Sequence, residues 1–309
     1  MEINEFSKKI ESAFLHHIGI KLSETQVSQF FYYMNFLLEK NKVMNLTAIT
    51  EPDDVIIRHF VDSCILLKFQ DDLNEEKVHT DNKVYVEDKD ESKGNIYSDK
   101  NVHNISDEAN GNNVRSNKIN LSESKNIDKS NLNLCKEDFF KNKSLVDIGT
   151  GAGFPGFPIA IVCPDAKITL TDTLGKRVNF LEEAVDKIKI SNTHIIKSRA
   201  EDFCRDANYR EAFDFALARG VANLSVLSEY LLPAVKISGK MVSHKMDDVD
   251  DELNKSLNAI KILGGSFSKK LSYNLIDGEP KRSLVVINKI SKTPNQYPRK
   301  AGMPAKNPL

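Results

Sequence analysis

The chain has 309 residues, of which 40% are hydrophobic, with a mean hydropathy of -0.39 and a formal net charge of -1. This composition allows one good-sized hydrophobic core and contains no apolar run long enough to cross a bilayer, so the sequence predicts a soluble cytoplasmic protein. The cysteines, at positions 64, 135, 163 and 204, lack the close spacing of a zinc site or a disulfide-rich domain. We therefore expect no structural metal.

Charge is unevenly distributed along the chain. Residues 71–140 contain 16 acidic and 10 basic side chains, whereas seven Lys or Arg residues and no acidic residue follow Glu279. A basic segment on an otherwise neutral protein is an electrostatic indication of a polyanionic partner. A tail that only improves solubility is the alternative.

A helical extension is predicted for residues 1–70. Ser23-Glu24-Thr25-Gln26 has the spacing of a capping box, and apolar residues recur at helical intervals from Val27 to Leu38. A second helix is expected to begin near Pro52, a residue favoured in the first turn. Because the first helix has one apolar stripe, we expect the extension to pack on the domain that follows.

Residues 71–143 show no apolar periodicity and are rich in Asn, Asp, Ser and Lys. Such a segment cannot bury enough apolar surface to offset the entropy lost on ordering. The sequence therefore predicts a low-complexity, disordered insertion.

Strands and helices alternate from residue 144 to 290. Helices are predicted over 174–188, 223–235 and 249–263, and strands over 145–148, 167–171, 194–196, 213–218, 240–243, 267–273 and 284–289. This alternation predicts an α/β domain whose mostly parallel, Rossmann-like sheet is covered by helices on both faces. The last two strands lack a helix between them, which predicts an antiparallel ending. Residues 291–309 form a basic C-terminal tail.

A glycine-rich loop follows the first predicted strand. Gly149, Gly151 and Gly153 allow the backbone to bend tightly and to aim amide groups at a ligand. Asp172 ends the next strand, where it is placed to accept hydrogen bonds from ribose hydroxyls. Since ligands of such sheets bind beyond the carboxyl ends of the strands, these residues predict a nucleoside site.

Two cofactors fit this loop. Residues 151–156 match the G-x-G-x-x-G pattern of NAD-dependent oxidoreductases. Pro155 and Pro158, however, leave fewer amides for a pyrophosphate, and no second phosphate loop follows. The pattern therefore favours a methyltransferase that uses S-adenosyl-L-methionine over an NAD-dependent oxidoreductase. A small-molecule methyltransferase and a non-catalytic RNA-binding module are further alternatives.

The next two strand ends supply further candidate residues. Glu201 is placed to read an adenine edge beside the small Ala200, although its carboxylate also suits the start of a helical turn. Arg219 is suited to hold a methionine carboxylate or an RNA phosphate, with a surface ion pair as the alternative. The sequence contains no legible Ser-His-Asp or Cys-His arrangement.

The chain resembles the bacterial small-subunit ribosomal RNA methyltransferase G family, also called glucose-inhibited division protein B. The resemblance covers nearly all of the chain outside the predicted insertion. It is carried by NLTAIT (45–50), RHFVDS (58–63), DIGTGAGFPGFP (147–158), DTLGKRVNFL (172–181), RAE (199–201), ARGVA (218–222) and YPRKAGMP (297–304).

The resemblance implies a class I methyltransferase that transfers a methyl group from S-adenosyl-L-methionine to N7 of a guanine in 16S ribosomal RNA. It implies cofactor contacts by Gly149, Phe154, Ala200, Glu201 and Arg219, and a partner that is 16S ribosomal RNA or the small ribosomal subunit. Guanine N7 already presents a lone pair, so the reaction needs positioning and no general base. We expect a monomer.

The substrate side is predicted to be basic. We expect Arg219, Lys245 and the tail, including Arg299 and Lys300, to hold RNA phosphates. His244-Lys245-Met246 stands where the family typically has Leu-Lys-Gly, so the geometry near Lys245 departs from the family pattern.

Overall fold

A seven-stranded sheet is the centre of the computed structural model, which describes residues 1–74, 136 and 138–309. The strand order is β3-β2-β1-β4-β5-β7-β6. The strands are β1 (Ser144–Ile148), β2 (Lys167–Asp172), β3 (Thr193–Lys197), β4 (Phe213–Arg219), β5 (Val235–Met246), β6 (Gly265–Tyr273) and β7 (Arg282–Lys289).

The first five strands are parallel, whereas β7 pairs antiparallel with both β5 and β6. The predicted parallel sheet with an antiparallel ending is therefore confirmed. The chain runs outward from β1 to β3 and then returns to the other side of β1 with β4. This reversal creates a crevice at the carboxyl ends of β1 and β4, where ligands of open parallel sheets bind.

Five α-helices lie between the strands in the described part of the chain, and three of them are close to the predicted positions. They span Gly156–Val162, Gly175–Ile188, Ala200–Phe203, Leu224–Leu231 and Asp250–Ile262. The helix predicted over 223–235 is too long, because Pro233 lies in a 3-10 turn and Val235 already begins β5. Strand β5 is correspondingly longer than predicted.

Two N-terminal helices, α1 (Ile3–His17) and α2 (Glu24–Met44), pack on the sheet domain. The predicted start of α2 is confirmed: the Ser23 side chain accepts from the Gln26 amide, and the Gln26 side chain accepts from the Ser23 amide. Gln26 also donates to the carbonyls of Ile161 and Val162 at 3.2 and 3.1 Å, which fastens α2 to the helix after the glycine loop. Helix α1 was not predicted from the sequence.

A composite helix, residues 52–74, follows α2. It begins at Pro52 as predicted, but residues Val55–Val61 form a π-helix and Ile65–Phe69 a 3-10 helix before the last turn at Gln70–Asn74. No sequence rule predicted these changes of helix type. The π-helical stretch carries residues of the candidate site, as such stretches often do.

Aromatic packing joins the N-terminal helices to the glycine loop. The Tyr33 ring stacks on Phe157 at 4.5 Å between centroids and on Phe60 at 5.6 Å, and its hydroxyl donates to the Ala152 carbonyl. Tyr33 is fully buried. The helices before residue 75 and the glycine loop therefore share one hydrophobic core.

The two ends of the predicted 71–143 insertion are packed. Leu73 is buried in the last turn of the composite helix, and Phe140 packs edge-on against Phe215 at 5.1 Å. The prediction of disorder for residues 75–135 lies outside the described residues. Among the described residues, no helix has both the length and the apolar composition of a membrane span.

The capping box of α2 gives a stability prediction. Ser23→Ala removes the acceptor for the Gln26 amide, so we expect the free energy of unfolding to fall by about 1 kcal/mol. Ser23→Asp keeps an acceptor there and should stay near the parent value. Urea unfolding checks both variants, and an unchanged Ser23→Ala would contradict the prediction.

Candidate active site

A cavity of about 380 Å³ lies beyond the carboxyl ends of the parallel strands. We call it the first cavity. It is lined by Ile148, Gly149, Asp172, Thr173, Arg177, Ser198, Arg199, Ala200, Glu201, Gly220, Val221, Tyr230 and Gly302. Its position is the one that the strand order predicts, and four of the predicted cofactor residues line it: Gly149, Asp172, Ala200 and Glu201.

The three glycines of the loop have different surroundings. Gly149 lines the first cavity with a φ of +74°, and a Cβ atom there would lie 3.0 Å from the Val221 side chain. Gly151 donates its amide to Asp172 at 3.0 Å. Gly153 faces the core, where a Cβ atom would lie 2.8 Å from the Tyr33 hydroxyl and 2.9 Å from Phe157. Gly151 and Gly153 therefore shape the loop without lining the first cavity.

Asp172 is a fixed acceptor at the end of β2. Its carboxylate accepts from the amides of Gly151 and Leu174, at 3.0 and 2.9 Å, and from Arg177 at 3.3 Å. The side chain is 3% exposed and lines the first cavity. These donors hold the carboxylate in one orientation, so a ligand would meet a preorganised acceptor.

Asp147, which was not among the predicted site residues, holds the glycine loop through its carboxylate. Its Oδ2 accepts from the Thr150 hydroxyl at 2.6 Å and the Gly156 amide at 2.8 Å. Complete burial raises the pKa of Asp147 to about 6, although these two donors oppose the rise. The Gly156 amide, at the start of the following helix, thus already donates a hydrogen bond within the protein and is not free for a ligand.

The C-terminal tail forms one wall of the first cavity. The Gly302 amide donates to Glu201 at 2.8 Å, and Gly302 itself lines the cavity. Arg299 anchors this segment: its guanidinium and its amide both donate to the buried Glu229, with the shortest guanidinium contact at 2.7 Å. Arg210 also donates to the Tyr297 carbonyl at 2.7 Å.

The expectation that Arg299 holds RNA phosphate is corrected by this geometry. Its charge is neutralised by Glu229, which is 1% exposed, so its side chain serves to fix the tail. Lys300, in contrast, is exposed. The sequence could not separate these neighbours, because Glu229 lies 70 residues earlier on the Leu224–Leu231 helix.

Phe154 and Arg219 lie at the junction with the composite helix and do not line the first cavity. The Phe154 ring stacks on His59 at 4.2 Å, and the Arg219 guanidinium lies 4.9 Å from the Phe154 ring centroid. Arg219 donates to Asp62 at 3.0 Å and to the Arg58 carbonyl at 3.1 Å. Its guanidinium thus joins the end of β4 to the N-terminal helices.

A second cavity, of about 280 Å³, lies on the other side of Gly220, which lines both cavities. It is lined by Asp62, Arg219, Gly220, His244, Lys245, Met246, Tyr273 and Arg282. Arg219 and Lys245, which were both predicted for the substrate side, line this cavity. Lys245 pairs with Glu252 at 2.6 Å and donates to the Ala222 carbonyl at 2.8 Å.

Asp62 is the buried anion of this region. It accepts hydrogen bonds from Arg219 at 3.0 Å and from the Tyr273 hydroxyl at 2.8 Å, and it forms an ion pair with Arg282 at 2.9 Å. Burial alone would raise the pKa of Asp62, but Arg219, His244 and Arg282 outweigh it and lower the pKa below its usual value. Asp62 was not among the predicted site residues, because its only signal in the sequence is a carboxylate within an apolar helical stretch.

The topology and the cavities define the class of protein. A sheet of order β3-β2-β1-β4-β5-β7-β6, with β7 antiparallel and a cavity at the ends of the parallel strands, is the class I methyltransferase fold.

The chain belongs to the ribosomal RNA small subunit methyltransferase G family, whose model matches residues 111–283. Several relatives carry that name, including the following three. The Clostridium beijerinckii protein is 37% identical over 94% of both chains. The Desulforamulus reducens protein is 39% identical over 93% of this chain and 92% of its own, and that of Lactococcus lactis subsp. cremoris MG1363 is 35% identical over 96% of both.

The raised pKa of Asp147 predicts a pH dependence of stability. The folded protein binds this proton more tightly than the unfolded chain, so the stabilisation is complete below the ordinary pKa of 3.8 and is lost as the pH rises through about 6. Asp147→Asn cannot titrate. Relative to this variant, the parent should lose stability over that interval in denaturant unfolding, and a difference that is independent of pH would contradict the prediction.

Loss of the tail anchor should destabilise the protein. Arg299→Met leaves Glu229 buried without a cation, so we expect the free energy of unfolding to fall by about 3 kcal/mol. Adding Glu229→Gln should recover part of this loss. Lys300→Met, at the exposed neighbour, is the control in the same unfolding experiment, and equal effects of Arg299→Met and Lys300→Met would refute the anchoring role.

Proposed function

We propose that this protein transfers a methyl group from S-adenosyl-L-methionine to N7 of a guanine in 16S ribosomal RNA. Family membership supports the RNA substrate, and one geometric observation supports the reaction: the first and second cavities meet at Gly220. A cofactor in the first cavity and a base in the second would therefore be neighbours. Since one chain lines both cavities, we propose a monomer, acting in the cytoplasm where this RNA is made.

The first cavity fits a nucleoside cofactor. Asp172 offers a fixed carboxylate to ribose hydroxyls, while Ala200 and Glu201 border the adjoining wall. Gly149 brings the loop backbone to the cavity surface. These four residues would hold S-adenosyl-L-methionine, which supplies an electrophilic methyl group on a sulfonium. Phe154 and Arg219 do not line the first cavity, so their contact with the cofactor stays a prediction.

The protein's own contribution is positioning. Guanine N7 has an available lone pair, so no side chain has to remove a proton from it. The residues around Gly220 would align the base with the methyl donor and exclude water, which lowers the barrier by fixing the reacting atoms in line.

The loop geometry disfavours the oxidoreductase alternative. A pyrophosphate would need free amides at the start of the helix after the loop, yet the Gly156 amide donates to Asp147 and the Phe157 amide to Gly153. Gly151 and Gly153 also do not line the first cavity. The space beyond the strands therefore suits a single nucleoside better than a dinucleotide.

The basic surface would bind the RNA backbone. Arg299 is anchored to Glu229, but Lys292, Lys300 and Lys306 of the tail are exposed. Exposed lysines of this kind bind phosphate without base selectivity and confer salt dependence. Lys245 pairs with Glu252, so its proposed contact with RNA would require exchange of that partner.

The test is transfer of a labelled methyl group to unmodified 16S RNA and to small subunits that contain it, followed by mapping of the modified base. We expect a single 7-methylguanine. Incorporation into small molecules or at another atom would overturn the proposal, as would binding of NADH in preference to S-adenosylhomocysteine.

Asp172 provides the sharpest test of the cofactor site. Asp172→Asn replaces an anionic acceptor for ribose hydroxyls by a neutral amide, so we expect S-adenosylhomocysteine to bind about tenfold more weakly. Calorimetric titration measures the change. Asp186→Asn, at an exposed position of the Gly175–Ile188 helix, is the matched control. Equal binding by both variants would remove Asp172 from the site.

A further inference from the structure

His244, near the end of β5, is a buried side chain with unused hydrogen-bonding capacity. It is 5% exposed and lines the second cavity, and neither ring nitrogen has a hydrogen-bond partner in the described part of the chain. Unpaired polar atoms at buried positions reduce stability, so a side chain of this kind needs an explanation. A ligand in the cavity would supply the missing partner.

Its polar neighbours in the cavity already have partners. Asp62 accepts from Arg219 and Tyr273 and forms an ion pair with Arg282, and Lys245 pairs with Glu252. The His244 ring thus lies near the charges of Asp62, Arg219 and Arg282 but forms no hydrogen bond with any of them. Both of its nitrogens are thus buried beside the cavity without a hydrogen-bond partner among the described residues.

The imidazole is neutral at physiological pH. Burial lowers the pKa of His244 to about 4, and the nearby guanidinium groups of Arg219 and Arg282 act in the same direction against Asp62. A neutral imidazole carries one N–H donor and one lone pair. It can therefore donate to a carbonyl oxygen without adding a charge beside the two arginines.

We propose that the second cavity holds the guanine that receives the methyl group, and that His244 donates a hydrogen bond to its O6. This inference rests on the proposed function. O6 is the acceptor adjacent to N7 on the same edge of guanine, so this contact orients the edge that carries the reacting atom. A base that undergoes such chemistry leaves its stack and enters a pocket, where a buried polar group can read it.

The proposal predicts a loss confined to the RNA side. For His244→Leu, we expect KM for unmodified 16S RNA to rise about five- to tenfold, with kcat/KM falling in proportion, because one hydrogen bond to the base is lost. S-adenosylhomocysteine should bind as it does to the parent. The melting temperature should stay the same or rise, since the variant removes two unpaired buried nitrogens. His244→Gln, which keeps a donor, should retain most of the activity.

Ser243→Ala is the matched control. Ser243 precedes His244 on β5, and its buried hydroxyl likewise has no hydrogen-bond partner among the described residues, but it does not line the second cavity. This variant should methylate RNA like the parent. An equal loss in Ser243→Ala and His244→Leu would mean that the strand is merely sensitive to substitution, which would overturn the proposal.

A change in the RNA tests the same contact from the other side. 2-Aminopurine at the target position keeps N7 but lacks O6, so the parent should methylate it about five- to tenfold more slowly than guanine. His244→Leu should show little of this difference, because the partner of O6 is already absent. An undiminished difference in His244→Leu would overturn the proposal. If that variant does not fold, the same comparison is made with His244→Phe.

The proposed function and the role of His244 can be refuted by different results. If the parent transfers no methyl group to 16S RNA, the proposed function is wrong and the base site falls with it. If the parent methylates the RNA and His244→Leu has the parent's kcat/KM, the proposed function stands and only the role of His244 is wrong.

Discussion

The architecture of the candidate site depends on the contacts of one buried carboxylate, that of Asp62. It lies on the composite helix and is held by Arg219 at the end of β4, Arg282 on β7 and Tyr273 on β6. An unpaired charge at this depth would strongly destabilise the folded protein, so the native structure needs all three groups in contact with Asp62. One anion therefore couples the N-terminal helices to both the parallel and the antiparallel parts of the sheet, and the second cavity forms around it.

Two further buried carboxylates, those of Glu201 and Glu229, shape the first cavity. Glu201 and Glu229 hold the tail through the Gly302 amide and the Arg299 guanidinium. The basic side chains of the tail therefore fall into two groups. Arg299 is neutralised by Glu229 within the protein, whereas the lysines are exposed to solvent. The distribution of charge along the sequence indicated a polyanionic partner. Only the fold shows which basic side chains stabilise the protein and which ones are exposed for contact with RNA.

Periodic and local features could be predicted from the sequence. The strands, the start of α2 and the acceptor at Asp172 each depend on a pattern within a few residues, and the structure bears out their positions. The π-helix at Val55–Val61 and the Arg299–Glu229 pair could not be predicted in this way. They depend on contacts between distant segments, which a single sequence does not reveal.

The wall formed by Gly302 and Tyr230 has a consequence for inhibitor selectivity. Both residues line the first cavity, yet neither belongs to the strand ends or the glycine loop that nucleoside-binding enzymes of this fold share. A compound that mimics only the nucleoside would meet the shared elements and discriminate poorly among such enzymes. A substituent extended toward Gly302 would instead meet a surface built by the tail, and its selectivity would come from a part of the chain outside the sheet.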